Sequence, residues 1–487
     1  MKAWRPWRSL PPLHCPSIRS DMQVYNTLGR TLEAFVPRDP GKVSMYVCGP
    51  TVQSEPHLGH GRAGVAFDVM RRYFRWRGFE VTYVQNVTDI EDKIIAAANE
   101  RGVPVEELAA EMTARFNACY RSLGIERPDV EPRATEHIEQ MISLIGTLID
   151  RDLAYPAGGD VYFAVRNLPG YGKLSGRNLD DLQAGARVTI GEDKRDPLDF
   201  ALWKGAKPGE PEWDSPWGSG RPGWHIECSA MAAEYLGEGF DIHGGGTDLI
   251  FPHHENEIAQ SEGAGAASFA RYWLHNEMLN LQGEKMAKST GHIIDLATAL
   301  DRFGGVTVRL FYLRAHYRTP LEYSEQLLED ADSALERLRT FCRRAPVGKA
   351  APDPDFLRRF TAAMDDDFNT PDALAVVFES VKEGNRRLDE GLDADPIVSA
   401  FSTMVGVLGL ELAEDDGDDL SSRLGDIAGR FGISQGTVDD IIESLLELRA
   451  KARDERDWAT SDGIRDELAG IGVIVEDAVD GARWHRG

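Results

Sequence analysis

The stretch from Met45 to Val87 constrains the fold more than any other part of the chain. Met45–Cys48 is a short apolar run that Gly49-Pro50 ends. Gly59–Trp76 then has helical spacing, with Ala66, Val69, Met70, Tyr73 and Phe74 on one side, and Gly78 stops it. Glu80–Val87 alternates and is β-branched, so it reads as a strand. Strand, helix and strand in that order make a βαβ unit. Such a unit requires a parallel sheet with a right-handed crossover, and the expected fold class is therefore α/β.

Asn86–Asn99 is expected to start another helix after Thr88-Asp89. From about Arg133 to Trp213, Gly and Pro break the pattern around short strand-like runs such as Asp160–Val165, which reads as an insertion between two halves of a sheet domain. Gly223–Asn276 resumes the α/β rhythm. From Leu321 the chain is mostly helical, over Ser324–Arg344, Asp355–Met364, Ala373–Leu388 and Pro396–Leu410. The acidic run Glu411–Asp419 marks a linker before a small terminal domain. Met1–Asp21 has no apolar period and is expected to be a disordered tail or an upstream start, with Met22 the alternative first residue.

The net charge is −26, and it is uneven: Leu321–Gly487 has 19 basic against 38 acidic residues. A polyanion partner must therefore be held by local contacts, not by the global field. Five cysteines in 487 residues exclude a disulfide scaffold and fit a reducing cytosol. No run of about 18 apolar residues is present, so no membrane partner is expected.

Four motifs carry chemistry. His57-Leu58-Gly59-His60 lies where the loop becomes the helix, and a helix N-terminus favours phosphate. Taken alone, the two histidines also suit capping or core packing. Lys285-Met286-Ala287-Lys288-Ser289 could neutralise a triphosphate, or be a solvated lysine loop. In Asp241–Glu257, DIHGGGTDLIFPHHENE, three glycines allow the backbone to wrap a ligand, and Pro252 can open a helix. His253 and Glu257 then share a helical face and make the natural metal pair, whereas His254 shares its face with Ile258. Cys48 and Cys228 sit in strand- or turn-ending contexts and could be ligands or small buried apolar residues.

Together these motifs make the chain resemble the class I aminoacyl-tRNA synthetases, and most closely the cysteinyl-tRNA synthetase family. MYVCGPTV, HLGHGR, NVTDIEDKII, EPRATEHI, GRPGWHIECSAM, DIHGGGTDLIFPHHENEIAQSE, KMAKST, MDDDFNTP and the terminal DWATSDGIRDELAGIGVIVEDAVDGARW carry the likeness, over roughly Met22–Trp484. Leu58 stands where the family usually has isoleucine, Ala287 where it has serine, and Pro50 and Gln53–Pro56 differ from the commonest loop. The resemblance implies a disordered extension (1–21) and a Rossmann-like catalytic domain in two halves (22–132 and 214–270), split by a connective insertion (133–213). A stem-contact region with the lysine loop (271–320), a helical bundle (321–415) and a C-terminal anticodon-binding domain (416–487) follow.

The resemblance also implies the chemistry. One zinc per chain is expected on Cys48, Cys228, His253 and Glu257, gripping the substrate thiolate. A plain pocket separates substrates differing by one small group by only about 1–3 kcal/mol. Ten-thousandfold selection needs about 5.5. Thr51, Thr88, Trp224 and His243 are expected to line the cysteine pocket. ATP, with Mg, is expected on His57, Gly59, His60, Asp248, Lys285 and Lys288; His57, His60, Lys285 and Lys288 stabilise the transition state. The partners are then L-cysteine, ATP and cysteine tRNA, and the chain is expected to work as a cytoplasmic monomer. Anticodon contacts are expected from Arg453, Trp458, Asp462 and Asp477. Arg71, Arg72, Arg75 and Arg77 form a basic helix end that would either meet RNA or be a solvated face. Two other readings remain open at this stage: a ligase joining cysteine to an amino sugar, and a non-catalytic RNA-binding relative.

Overall fold

The computed structural model describes residues 22–178, 194–281, 284–285, 294–345 and 350–412, and towards the C-terminus 424–425, 427–431, 433, 438–454, 457–471, 473–478 and 481–486. The expected N-terminal extension and Lys288 lie outside the described residues. The chain forms two compact units, Met1–Leu412 and Ala413–Gly487.

The first unit is built on a four-stranded parallel sheet in the order Ala270–Asn276, Phe240–Gly246, Lys42–Val47, Glu80–Gln85. Lys42–Val47 is buried at every position after Lys42, as expected of a parallel strand covered on both faces. One face packs on the helix Leu58–Trp76 and the helical bundle through Val65, Val69, Tyr73 and Phe74. The other packs against the insertion and the helix Trp224–Leu236. The register Val47↔Gly244 brings Cys48 and the glycine run to the same carboxyl end of the sheet, where open α/β sheets bind ligands.

The helix expected after Thr88-Asp89 spans Asp92–Arg101, with Glu91 accepting from the backbone N–H of Lys93. A four-stranded antiparallel sheet, Ala154–Ala157, Asp160–Phe163, Phe200–Gly205 and Gly220–Pro222, has its first three strands within the expected insertion, and its last strand lies past the expected boundary at 213. The bundle helices are Glu325–Arg344, Pro354–Asp365, Thr370–Asp389 and Asp395–Val407. Ser324, Asp353 and Asn369 cap the first three with side-chain oxygens. The second unit holds the helices Val438–Asp454 and Trp458–Gly470 and a hairpin of Val473–Ala478 with Gly481–Arg486, around a core of its own.

The basic helix end is neither an RNA patch nor a solvated face. Arg71 and Arg72 are 1% and 3% exposed and turn inward onto Asp68 and Glu126. Arg75 pairs with Glu126 and Asp129, and Arg77 with Asp365. Buried guanidiniums need such partners, and the acids satisfy them from within the fold.

Candidate metal centre and nucleotide cleft

Cys48 leaves the end of the strand Lys42–Val47. Cys228 lies in the helix Trp224–Leu236, not at the end of a strand or turn. Pro252 does not open a regular helix: a helical turn over Ile250–His254, with Phe251 out of helical geometry, precedes the helix Glu255–Ala264. His253 and Glu257 nonetheless come to one side. His253 Nε2 lies 3.0 Å from Glu257 Oε1, Cys48 Sγ 3.5 Å from the same oxygen, and the two sulfurs are 3.6 Å apart. All four ligand atoms fall within 4.8 Å of one another. Two sulfurs each about 2.3 Å from a common zinc stand roughly 3.8 Å apart on a tetrahedral edge. The set therefore has both the donor chemistry and the spacing of a zinc site.

Burial leaves the His253 imidazole in its ligating form, whereas the Cys48 thiol must give up a proton to a metal. Burial drives the Cys48 thiol well above its ordinary range, with Cys228 and Glu257 adding to the effect, and drives His253 well below its own. The imidazole is thus neutral, the form that ligates. His253 Nδ1 lies 2.9 Å from His225 Nδ1, which orients Nε2 towards the cluster. His243 Nε2 lies 2.7 Å from Glu257 Oε2, and His254 bridges Cys48 (3.3 Å) and His275 (2.8 Å). Cys48, His243, His254 and Glu257 form a second possible ligand group, with one sulfur fewer.

Of the expected cysteine-pocket residues, Trp224 and His243 touch this cluster, whereas Thr51 and Thr88 contact each other and Glu227. Trp224 stacks on His253 at 4.2 Å, and Thr51 pairs with Thr88 through the backbone. The Thr88 hydroxyl donates to the buried Glu227 at 3.0 Å. His243 is fully buried behind Glu257, so it supports the ligands from beneath.

At the helix Leu58–Trp76, His57 Nδ1 accepts from the Gly59 N–H and His60 Nδ1 from the His57 N–H, each at 3.1 Å. The rings stack at 3.7 Å. Capping thus commits both Nδ1 atoms, and donation to a phosphate must come from Nε2. A Cβ at Gly59 would stand 3.0 Å from the His57 ring, so only glycine leaves that ring in place. Asp248 is exposed beside the glycine run. Those glycines serve close packing more than wrapping: a Cβ at Gly245 would meet the His254 ring at 2.9 Å. Lys285 lies on a short strand, Glu284–Lys285, paired with Leu279–Leu281.

In the second unit, Arg453 and Asp462 are exposed and Trp458 is 57% exposed. Asp477 lies in the strand Val473–Ala478. His225, His275 and Glu227 were not singled out in the sequence, and His254 was set aside in favour of His253. They have no periodic signal, since strand register and one helical turn bring them together.

The tRNA synthetases class I (C) catalytic domain matches residues 34–333, the DALR domain residues 359–413, and the cysteinyl-tRNA ligase anticodon binding domain residues 436–484. The cysteine–tRNA ligase of Laribacter hongkongensis is 50% identical over 469 residues, covering 96% of this chain and all of that one. The cysteine–tRNA ligase of Chromobacterium violaceum is 50% identical over 474 residues, with the same coverage. The fold is similar to Mycobacterium tuberculosis methionyl-tRNA synthetase in complex with methionyl-adenylate, with a TM-score of 0.54 at 16% identity, over 76% of this chain and 90% of that one.

Proposed function

Because the chain belongs to the cysteine–tRNA ligase family of class I aminoacyl-tRNA synthetases, we propose that it carries out their reaction with the residues described above. It is a ligase that activates L-cysteine with ATP to cysteinyl-adenylate and pyrophosphate, then transfers the cysteinyl group to the terminal adenosine of cysteine tRNA.

Cys48, Cys228, His253 and Glu257 hold zinc, and their convergence within 4.8 Å is the observation that carries this reading. Zinc supplies a soft Lewis acid for which a thiolate is a far better ligand than a hydroxyl. Thr51, Thr88 and Trp224 confine the substrate beside that group, and His243 steadies Glu257. Asp248 takes the ATP ribose. The substrate carboxylate attacks the α-phosphate, and negative charge grows on the phosphate oxygens. His57 and His60 through Nε2, Lys285, Lys288 and the helix N-terminus stabilise it, with Mg as counter-ion to the departing pyrophosphate. No side chain is a covalent nucleophile. Trp458 stacks an anticodon base, with Arg453, Asp462 and Asp477 as polar contacts. The chain is read as a cytoplasmic monomer.

The test pairs elemental analysis with ATP–pyrophosphate exchange. One zinc per chain is expected, with exchange supported by cysteine and lower by about ten-thousandfold with serine, a difference of about 5.5 kcal/mol. Metal-free protein that still discriminates the two would refute the zinc reading.

A further inference from the structure

Beside Asp248, which takes the ATP ribose, the cleft opens into a cavity of about 610 Å³ whose other walls have no part in the activation chemistry described above. Its walls present flat cations. The Arg318 guanidinium lies 4.0 Å from the centroid of the Tyr25 ring, and that of Arg177 lies 4.5 Å from Phe251. Arg30, exposed on the same wall as Ser175, donates to the Ser175 carbonyl. Ser175 is itself anchored, its N–H donating to the buried Glu255 at 2.8 Å. Glu277, also on the wall, adds an acceptor. Guanidiniums for phosphodiesters, stacked planes for a base and a carboxylate for hydroxyl or amino groups are together the recognition set of a nucleotide. The volume lies within the range of pockets that enclose a small ligand.

The Tyr25–Arg318 stack is set from outside the cavity, by the MDDDFNTP turn of the helical bundle. Asp367 is 2% exposed; its Oδ2 accepts from Arg318 Nε at 2.5 Å, and its Oδ1 from the Tyr25 N–H and the Tyr317 hydroxyl, each at 2.8 Å. Asp367 and Phe368 are consecutive non-glycine residues in the left-handed region, at φ +54° and +56°. Such a conformation persists only where its surroundings over-determine it.

We propose that this cavity takes the single-stranded 3′ end of the tRNA, with an unpaired base on the Tyr25–Arg318 stack and phosphodiesters on Arg30 and Arg177, and that Asp367 is the positioning residue for that platform. The inference rests on the tRNA ligase reading, because the cavity shares Asp248 with the adenylate cleft and so lies where an acyl acceptor must approach.

Asp367→Asn tests it. Asparagine adopts the left-handed conformation readily and keeps one carbonyl acceptor, so chiefly the Arg318 bond is lost. Cysteine-dependent pyrophosphate exchange is expected within about twofold of wild type, while KM for cysteine tRNA rises roughly tenfold with kcat little changed, the low end for one stacked base. Removing the terminal CCA from the tRNA should weaken binding to the wild-type enzyme far more than to the variant, which a merely structural defect would not produce. Arg30→Ala, on the exposed wall, should show the same shrunken dependence on the CCA end if Asp367→Asn fails to fold. A raised KM for ATP in exchange would assign the cavity to ATP and overturn the proposal, as would an equal CCA dependence in variant and wild type. Absence of cysteine-dependent exchange in the wild-type enzyme would instead refute the ligase reading itself.

Discussion

A serine at position 228 keeps the size of the side chain and removes a soft donor. Cys228→Ser is expected to lose stoichiometric zinc by elemental analysis, to lose cysteine-dependent exchange, and to keep its circular dichroism spectrum. His254→Gln separates the two possible ligand groups. It should still bind one zinc, more weakly by roughly ten- to a hundredfold, as expected for a residue that supports ligands without being one; complete loss of metal would instead favour the group containing His243 and His254. The placing of His253 beside Glu257 was legible from i, i+4 spacing, although the chain reaches that spacing across a kinked turn. The support beneath was not legible. His275 reaches His254 because Ala270–Asn276 pairs in register with Phe240–Gly246, which no local pattern encodes.

Within the helix Leu58–Trp76, Asp68 is the most consequential buried charge. Burial alone would raise its pKa, but the guanidiniums of Arg309, Arg72 and Arg71 outweigh it and hold the carboxyl at about 2, below its ordinary 3.8. A depressed native pKa contributes stability that is present above the unfolded value and is lost as the pH falls through the folded one. The shift corresponds to about 2–3 kcal/mol. Urea unfolding should therefore show that contribution intact at pH 5 and diminished between about pH 4 and pH 2, and Asp68→Asn should remove this part of the acid dependence. The helix itself was legible to within a residue, because its apolar positions repeat at helical spacing. The fate of its arginines was only half legible. Asp68 stands three and four residues before Arg71 and Arg72, a visible ion-pair spacing, whereas Glu126 arrives from a distant loop.

At the scale of the molecule, the guanidiniums that might have met RNA are neutralised internally, and the remaining expected contacts are few. Binding of cysteine tRNA should then show a shallow salt dependence, with a slope of log K against log salt of roughly −1 to −3; a slope near −8 would contradict it. The separate core of Ala413–Gly487 means that a chain ending at Leu412 should still catalyse cysteine-dependent exchange while losing most tRNA charging, which filter-based aminoacylation measures directly. The order of layers was legible because strands, insertion and helices differ in period and composition. The internal pairing of cations was not, since it depends on contacts between distant segments. The convergence of Cys48 and Glu257, 209 residues apart, has a consequence for biosynthesis. At about 5–20 residues per second, a ribosome delivers the carboxylate ten to forty seconds after the thiol. Throughout that interval the nascent polypeptide carries a thiol whose carboxylate neighbour is not yet made, so the proposed metal site can be completed only late in translation.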